Sequence, residues 1–473
     1  MRAARELVEG VAGEHTYGVN TGFGRFVSAH IPDELTEELQ LRLLRSHACG
    51  VGEPYPDEVV RAAMLLRANA LAKGYSGARV ETVEQLLACL NRGALPVVPA
   101  RGSVGASGDL APLAHLALPL VGEGQALVDG EVLDGAAALR AVGLEPIRLA
   151  SKEGLSLING TQFMTAMAAL GLVRARRLAA TADLACALSL EALQGSRSSF
   201  MPAVHRARPL PGQLESAENV WRLLEGSAII ESHRWCDKVQ DGYSLRCAPQ
   251  VHGACRDLLA YAEATVAVEL NAATDNPLVL VEEGEIVSAG NFHGQPLAFA
   301  LDTLAMAAAE LASISERRVE RLVNPNLSEG LPPFLVEEGG LNSGFMIPQY
   351  VAASLVSENK VLAHPASVDS IPTSAGQEDH VSMGNAAGLK ALQVLANAER
   401  TLAIELLAGA QAIEFLAPLQ PGGGVRAVHD VVRSLSPRLE EDRSLAGDIE
   451  RVAEAIRSGE IVVAAESEIG ALA

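Results

Sequence analysis

Two long stretches, 161–193 and 381–417, contain no proline and are rich in Ala and Leu. Good helix formers in an unbroken run of that length predict a helix. With Ala on most sides, such a helix has no fully polar face and belongs inside a bundle. Further helices are expected over 56–73, 253–273 and 296–323. In the first, Val59, Ala63, Leu66 and Ala70 recur at i, i+4, i+7 and i+11 and mark one apolar face. Pro56 and Asp57 suit its start, and Gly74 its C-terminal cap. In the last, Pro296 stands in the first turn and Asn324-Pro325 ends the helix.

Apolar residues make up 49% of the chain but aromatics only 4%, so the core must be assembled from Ala, Leu and Val. Two β-hairpins are expected: 126–128 with 131–133 across Asp129-Gly130, and 278–281 with 285–287 across Glu283-Gly284. Strands and helices do not alternate, which argues against a parallel sheet. The fold class that follows is mainly α, a long-helix bundle with two small β-hairpins. A single domain over 1–473 is expected, with an N-terminal part at 1–150, a central bundle at 151–420 and a small helical tail at 425–473. The glycine run 422–424 is the breaker before that tail.

The formal net charge of −21, without a basic run, excludes nucleic acid and anionic membrane surfaces as partners. The longest charge-free apolar stretch, 155–173, carries Asn159, Thr161 and Gln162 and is expected to be a buried helix, not a membrane span. MRAARELVEG lacks the apolar segment of a secretory signal. The six cysteines form no CxxC pair, which fits free thiols in a cytoplasmic protein. Cys247, His252 and Cys255 match no common zinc spacing, and Glu378-Asp379-His380 are adjacent and would point apart on a helix, so no metal is expected.

One segment carries chemistry: Arg101-Gly102-Ser103-Val104-Gly105-Ala106-Ser107-Gly108-Asp109-Leu110. It can be read as a glycine-rich connector ahead of a helix starting near Asp109. A phosphate cradle is a second reading, but both GxGxxG and GxxxxGK[ST] spacings are absent. The third reading is self-cyclisation. The Gly108 amide nitrogen attacks the Ala106 carbonyl, and loss of two waters leaves a methylidene-imidazolone (MIO) ring whose exocyclic carbon comes from Ser107. Gly108 provides an unhindered nucleophile, Ser107 a β-oxygen that can leave, and Ala106 a side chain small enough for the turn to close. Asp109 could assist proton transfer.

GSVGASGDLAPLAHLAL resembles the MIO segment of the aromatic amino acid ammonia-lyases, and most closely their histidine-specific members. The likeness continues through TYGVNTGFG at 16–24, SHACGVG at 46–52, LINGTQ at 157–162 and CDKVQDGYSLRCAPQ at 236–250. It ends with GNFHGQP at 290–296, PPFL at 332–335, NSGFM at 342–346, SENK at 357–360 and HPASVDSIPTSAGQEDHVSM at 364–383. The resemblance implies the aromatic ammonia-lyase/fumarase-like long-helix bundle and non-oxidative deamination of L-histidine to trans-urocanate and ammonia. The electrophile would be MIO from Ala106, Ser107 and Gly108, with no external cofactor.

By resemblance, Tyr17 lies in the loop that supplies the base. A phenol is normally neutral at working pH, so it would need a lowered pKa or a coupled partner such as Tyr243. Arg246 is the expected clamp on the substrate carboxylate. Asn159 either caps the helix starting near Thr161 or bonds the MIO carbonyl and substrate; the resemblance favours the second. Gln240, Tyr243 and Arg246 are three apart, which suits one face of a helical turn. Phe292 would wall the site from water. His47 and Glu378 suit an imidazole ring, and an apolar ring would leave both unpaired. Gly105 and His115 are expected to support the loop. Ala248 and Gly294-Gln295 depart from the histidine-specific pattern.

The resemblance also implies a homotetramer whose sites take residues from three chains. Other readings are an MIO-dependent lyase or aminomutase for another aromatic amino acid, or an inactive helical scaffold of the same fold. The GSSxMPxKxNP-like signature of the fumarase–aspartase group is absent.

Overall fold

The computed structural model describes residues 1–10 and 16–473. It is organised in two compact units: residues 1–170, 262–302 and 365–389, and residues 171–261, 303–364 and 390–473. The helices Gln162–Ala192, Ala248–Glu269, Gln295–Val323 and Gly384–Glu414 are each divided between the units. The long helices stand where proline-free Ala/Leu sequence places them. Ala248–Glu269 begins earlier than expected because Pro249 is tolerated in a first helical turn.

Among the described residues the sheets all fall in the first unit, each antiparallel and short. Gln125–Val128 pairs with Glu131–Asp134, and Leu278–Leu280 with Glu285–Val287, as the turn residues predict. Asp129 and Gly130 both have positive φ, +49° and +85°, the geometry of a type I′ turn. Leu95–Pro96 adds to the first hairpin, and Val51–Pro54 pairs with Pro99–Arg101. Neither was expected, because Gly52, Pro54, Pro96 and Pro99 suppress the strand signal. The helix Arg2–Gly10 lays Ala4 and Val8 against Val19 and Val279.

The stretch 155–173 is largely buried as expected, with Val173 exposed at its end, but it is not one helix. Glu153–Ile158 ends, Asn159, Gly160 and Thr161 leave the helical path, and a new helix starts at Gln162. Gly160 has φ +153°, and a Cβ there would lie 2.4 Å from the Thr274 carbonyl oxygen. This break becomes part of the candidate site.

The helix Asp57–Ala72 buries Val59, Val60, Ala63, Met64, Arg67, Ala68, Ala70 and Leu71. The buried stripe is therefore turned slightly from the expected one: Leu66 is only half-buried and Arg67 lies inside.

In the second unit, Arg318 forms a fully buried ion pair with Glu405 at 2.5 Å, and Ser189 donates to the same carboxylate at 2.7 Å. His252 bonds Asp183 at 2.8 Å, and Arg256 bonds it at 2.7 Å. Gln295–Val323, the helix bearing Arg318, is long and apolar enough to cross a membrane by composition, yet two-thirds of its apolar window is buried within the protein. The glycine run does not stay a loop: Gly423 and Gly424 open the helix Gly423–Leu435. The tail continues as Ala446–Ser458 and Glu460–Ile469.

Candidate active site

The segment 101–110 is held by its neighbours on every side. The Gly105 carbonyl accepts from Ser382 Oγ at 2.9 Å and from the Gly294 amide at 3.3 Å. The Val104 carbonyl accepts from the Met383 amide at 2.8 Å. Gly294 sits so close to Met164 that a Cβ would lie 2.5 Å from its terminal methyl. On the other side Gly108 bridges Gly160, and the Asp109 amide donates to the Gly160 carbonyl at 2.7 Å. Gly108 has φ +75°, and a Cβ there would lie 2.0 Å from the Gly160 oxygen. Only glycine fits that position. Ala106 is buried, and the turn has the small residues and tight backbone that cyclisation would require.

Asp109 accepts from the amides of Phe163 and Met164 at 2.9 and 3.0 Å. The start of the helix Gln162–Ala192 is thus capped from a distant segment, and Asn159 does not cap it. Burial pushes the Asp109 carboxyl up to about 7, against the lowering effect of those amides and of Ser103. Asn159 is buried, its carbonyl accepts from Arg67 Nη1 at 2.7 Å, and its Oδ1 has no partner among the described residues.

Ser107 Oγ donates to Glu378 Oε1 at 2.8 Å, across 271 positions of sequence. The other oxygen, Oε2, accepts from Thr373 Oγ1 at 2.5 Å. Backbone bonds between Thr373 and Glu378 close this loop. Thr373 was not foreseen; nothing in its local sequence separates it from other loop threonines.

His47 ends the helix Thr36–His47, and its Nδ1 lies 2.9 Å from the Leu43 carbonyl. A carbonyl only accepts, so Nδ1 carries the proton. Burial lowers the His47 pKa, while the Leu43 bond and the Glu378 charge oppose the shift. His115 supports this corner: its Nε2 accepts from the Gly50 amide at 3.0 Å.

The Tyr17 ring meets Phe23 edge-on, with centroids 6.2 Å apart. Its phenol pKa is raised by burial, lowered by the Gly24 backbone and raised by the charge of Glu378. The net shift is upward, opposite to what a base working alone would need. Phe292 is half-buried in the turn that leads to Gly294, next to His293, which stacks on His380 at 5.9 Å.

Gln240, Tyr243 and Arg246 belong to the second unit. Tyr243–Arg246 forms a single helical turn, with the Arg246 guanidinium 4.5 Å from the Tyr243 ring centre. Gln240 precedes that turn in non-helical backbone, so it does not share the helical face expected from its spacing. Arg246 Nε donates to the Asp241 carbonyl at 2.9 Å. Tyr17, His47, Ser107, Asn159, Phe292 and Glu378 all lie in the first unit.

The family model for aromatic amino acid lyases matches residues 1–434. The chain belongs to the aromatic amino acid lyase family. As a member it is a carbon–nitrogen lyase. It is 60% identical to the histidine ammonia-lyase of Gloeobacter violaceus, over all of this chain and 92% of that one. It is 58% identical to that of Anaeromyxobacter dehalogenans, over 97% and 92%. Among solved structures, histidine ammonia-lyase from Trypanosoma cruzi superimposes with TM-score 0.91 at 48% identity, covering 99% of this chain and 88% of that one. A tyrosine aminomutase from Streptomyces globisporus superimposes with TM-score 0.94 at 40% identity, covering 100% and 93%. The mainly helical fold is therefore the family fold, and the fold alone does not separate lyase from mutase members.

Proposed function

We propose that the protein is a histidine ammonia-lyase, converting L-histidine to trans-urocanate and ammonia without oxidation. The observation that carries this reading is the carboxylate of Glu378 bonded to Ser107, with His47 electrostatically coupled to it. Glu378 would accept an imidazole N–H, and the bare Nε2 of His47 would meet the other edge of the ring. A phenyl ring would leave both polar groups unpaired, at a cost of about 1–3 kcal/mol each. The names of the relatives support the same substrate.

Ala106, Ser107 and Gly108 would hold the MIO group, which would supply an electrophile for the substrate amine. The chain's other residues bind, orient and move protons. Tyr17 would take the β-proton, a role that contributes on the order of 10²–10⁴-fold when the base is well placed. Its raised pKa on this chain means that a further positive charge or a coupled tyrosine must bring it down. Tyr243 would be that partner, Arg246 would clamp the substrate carboxylate, and Gln240 would assist binding. Asn159, with its unpartnered Oδ1, would orient the amine side, and Phe292 would exclude water.

We infer that the chain works as one catalytic domain and as a homotetramer in which residues of three chains complete each site. Six free cysteines are compatible with a cytoplasmic setting. The test is direct: pure protein with L-histidine, followed by urocanate absorbance. Turnover of phenylalanine or tyrosine with silence on histidine would overturn the substrate, and a β-amino product would assign a mutase. Light scattering at the mass of one chain would overturn the tetramer.

A further inference from the structure

Arg67 is a fully buried cation next to the candidate site, and neither the sequence pattern nor the proposed chemistry uses it. It sits in the helix Asp57–Ala72 with no exposed surface. A buried guanidinium ordinarily bonds a carboxylate, because an unpaired charge away from water is costly. Arg67 bonds none. Its Nη1 donates to the Asn159 carbonyl at 2.7 Å and to Gln162 Oε1 at 2.9 Å, with the Thr274 carbonyl at 3.5 Å. Its Nε and Nη2 have no partner among the described residues. Asp275 contributes charge, but its carboxylate is bonded to Lys152 at 3.0 Å. Burial lowers the Arg67 pKa to about 10, so the group remains cationic near neutrality.

The bonds of Arg67 converge on the break between two helices. Asn159 and Gly160 form a ledge. Gly108 rests on it so closely that a Cβ would lie 2.0 Å from the Gly160 oxygen, and the Asp109 amide bonds that same oxygen. A Cβ on Gly160 itself would lie 2.5 Å from Arg67 Nη1. The guanidinium therefore fills the space behind the ledge, and Gly108 presses on its front. Gln162, gripped by the same nitrogen, donates from Nε2 to Thr274 Oγ1 at 2.9 Å. The ledge cannot retreat without breaking these bonds.

We propose that Arg67 is a positioning residue: it fixes the Asn159–Gly160 ledge against which the Ala106–Ser107–Gly108 turn closes, and so aims both the cyclising backbone and the Asn159 amide. It touches neither the reacting atoms nor the substrate. The proposal rests on the reading that this tripeptide cyclises, and the test separates the two. Ring closure joins the Gly108 nitrogen to the Ala106 carbonyl carbon and expels that oxygen as water. Loss of the Ser107 hydroxyl and its α-hydrogen expels a second water.

The decisive variants are Arg67→Lys, which keeps the charge but cannot span the same acceptors, and Arg67→Met, which removes it. Each is purified as assembled protein, checked by circular dichroism, weighed intact and assayed on L-histidine. Wild type should weigh two waters less than its sequence. Arg67→Lys should contain a mixture of closed and open chains. A small misplacement of catalytic groups can cost about 100-fold, so kcat per closed site should fall at least about tenfold with KM within about threefold. Arg67→Met should lose more. If wild type carries its full sequence mass, the cyclisation reading fails and Arg67 loses this role with it. If wild type is closed and the variants are fully closed with wild-type kcat, the positioning role alone is refuted. A lower melting temperature with unchanged mass deficit and kcat refutes it equally. Should the Arg67 variants not fold, Gln162→Leu removes one of its acceptors: a fall in closure or kcat supports the proposal, and unchanged values overturn it.

Discussion

Replacing Glu378 by Gln keeps the shape of the site and removes its charge, and the structure predicts two separate consequences. The carboxylate lies 2.8 Å from Ser107 Oγ, a hydroxyl that ring closure removes, and 2.5 Å from Thr373 Oγ1; in the proposed complex it accepts the imidazole N–H. A hydrogen bond to a charged group contributes about 1.5–3 kcal/mol and one between neutral groups about 0.5–1.5 kcal/mol. The substitution should therefore cost about 1–1.5 kcal/mol at the ring, or roughly 5- to 15-fold in kcat/KM for L-histidine. Phenylalanine makes no such bond, and its kcat/KM should hold or rise. The second consequence concerns protons. The charge of Glu378 raises the pKa of both Tyr17 and His47. Removing it lets both fall, so the limb of the pH profile on which the base must lose its proton should move to lower pH. Urocanate formation and cinnamate formation, followed across roughly pH 6–10, read both effects. An unchanged histidine-to-phenylalanine ratio would remove Glu378 from ring recognition. A limb that stays in place would refute the coupling of Tyr17 to Glu378.

Four further outcomes are expected. Ser107→Ala should fold, carry no mass deficit attributable to ring closure and show no turnover; intact mass and the urocanate assay check both. Gly108→Ala pushes a methyl group onto the Gly160 oxygen and demands a left-handed backbone, so it should block closure and cost about 2–5 kcal/mol of stability in urea unfolding. Arg318→Met leaves Glu405 buried without its partner and should cost about 3–5 kcal/mol, read as a lower urea midpoint. For Asp109 the folded pKa, about 7, lies above the ordinary 3.8, so the native state holds the proton more tightly. Its contribution to stability is full below the ordinary carboxylate range and is lost as pH rises towards 7. The urea midpoint of wild type relative to Asp109→Asn should therefore fall between about pH 4 and about pH 7 and level off above that, and a difference independent of pH would contradict the raised value.

Local sequence carried the helices because their information is local. Thr161 to Leu193 offers no residue that would stop a helix, and the observed Gln162–Ala192 follows from that alone. The Asp129-Gly130 turn is similar, since two residues that tolerate positive φ determine its geometry. The glycine-rich segment was legible too, because unusual backbone demands unusual composition. What the sequence hid was the pairing of distant segments. Asp109 caps a helix that starts beyond Asn159, so Asn159, the nearer candidate by sequence, was left with an unpartnered Oδ1. Ser107 meets Glu378 across most of the chain, which motif order alone does not reveal.

Arg67 shows the limit most clearly. On a helix read by hydrophobic periodicity, an arginine counts as solvent-facing, and the predicted stripe passed through Leu66 instead. The actual stripe takes in Arg67 because three acceptors, Asn159, Gln162 and Thr274, converge on it from other parts of the chain. Periodicity measures the transfer of apolar groups from water, and it has no term for a cation whose burial is compensated by carbonyl oxygens arriving from elsewhere. The same blindness applies to Asp109 and Glu378, each of which bonds a distant segment, Phe163 and Met164 for the first and Ser107 for the second. Polar residues that violate a helix's pattern, or that sit beside glycines that admit no Cβ, are therefore where a site of this kind is held together. In this chain they converge on one ledge of backbone, and the closure of the Ala106–Gly108 turn depends on whether that ledge stays in place.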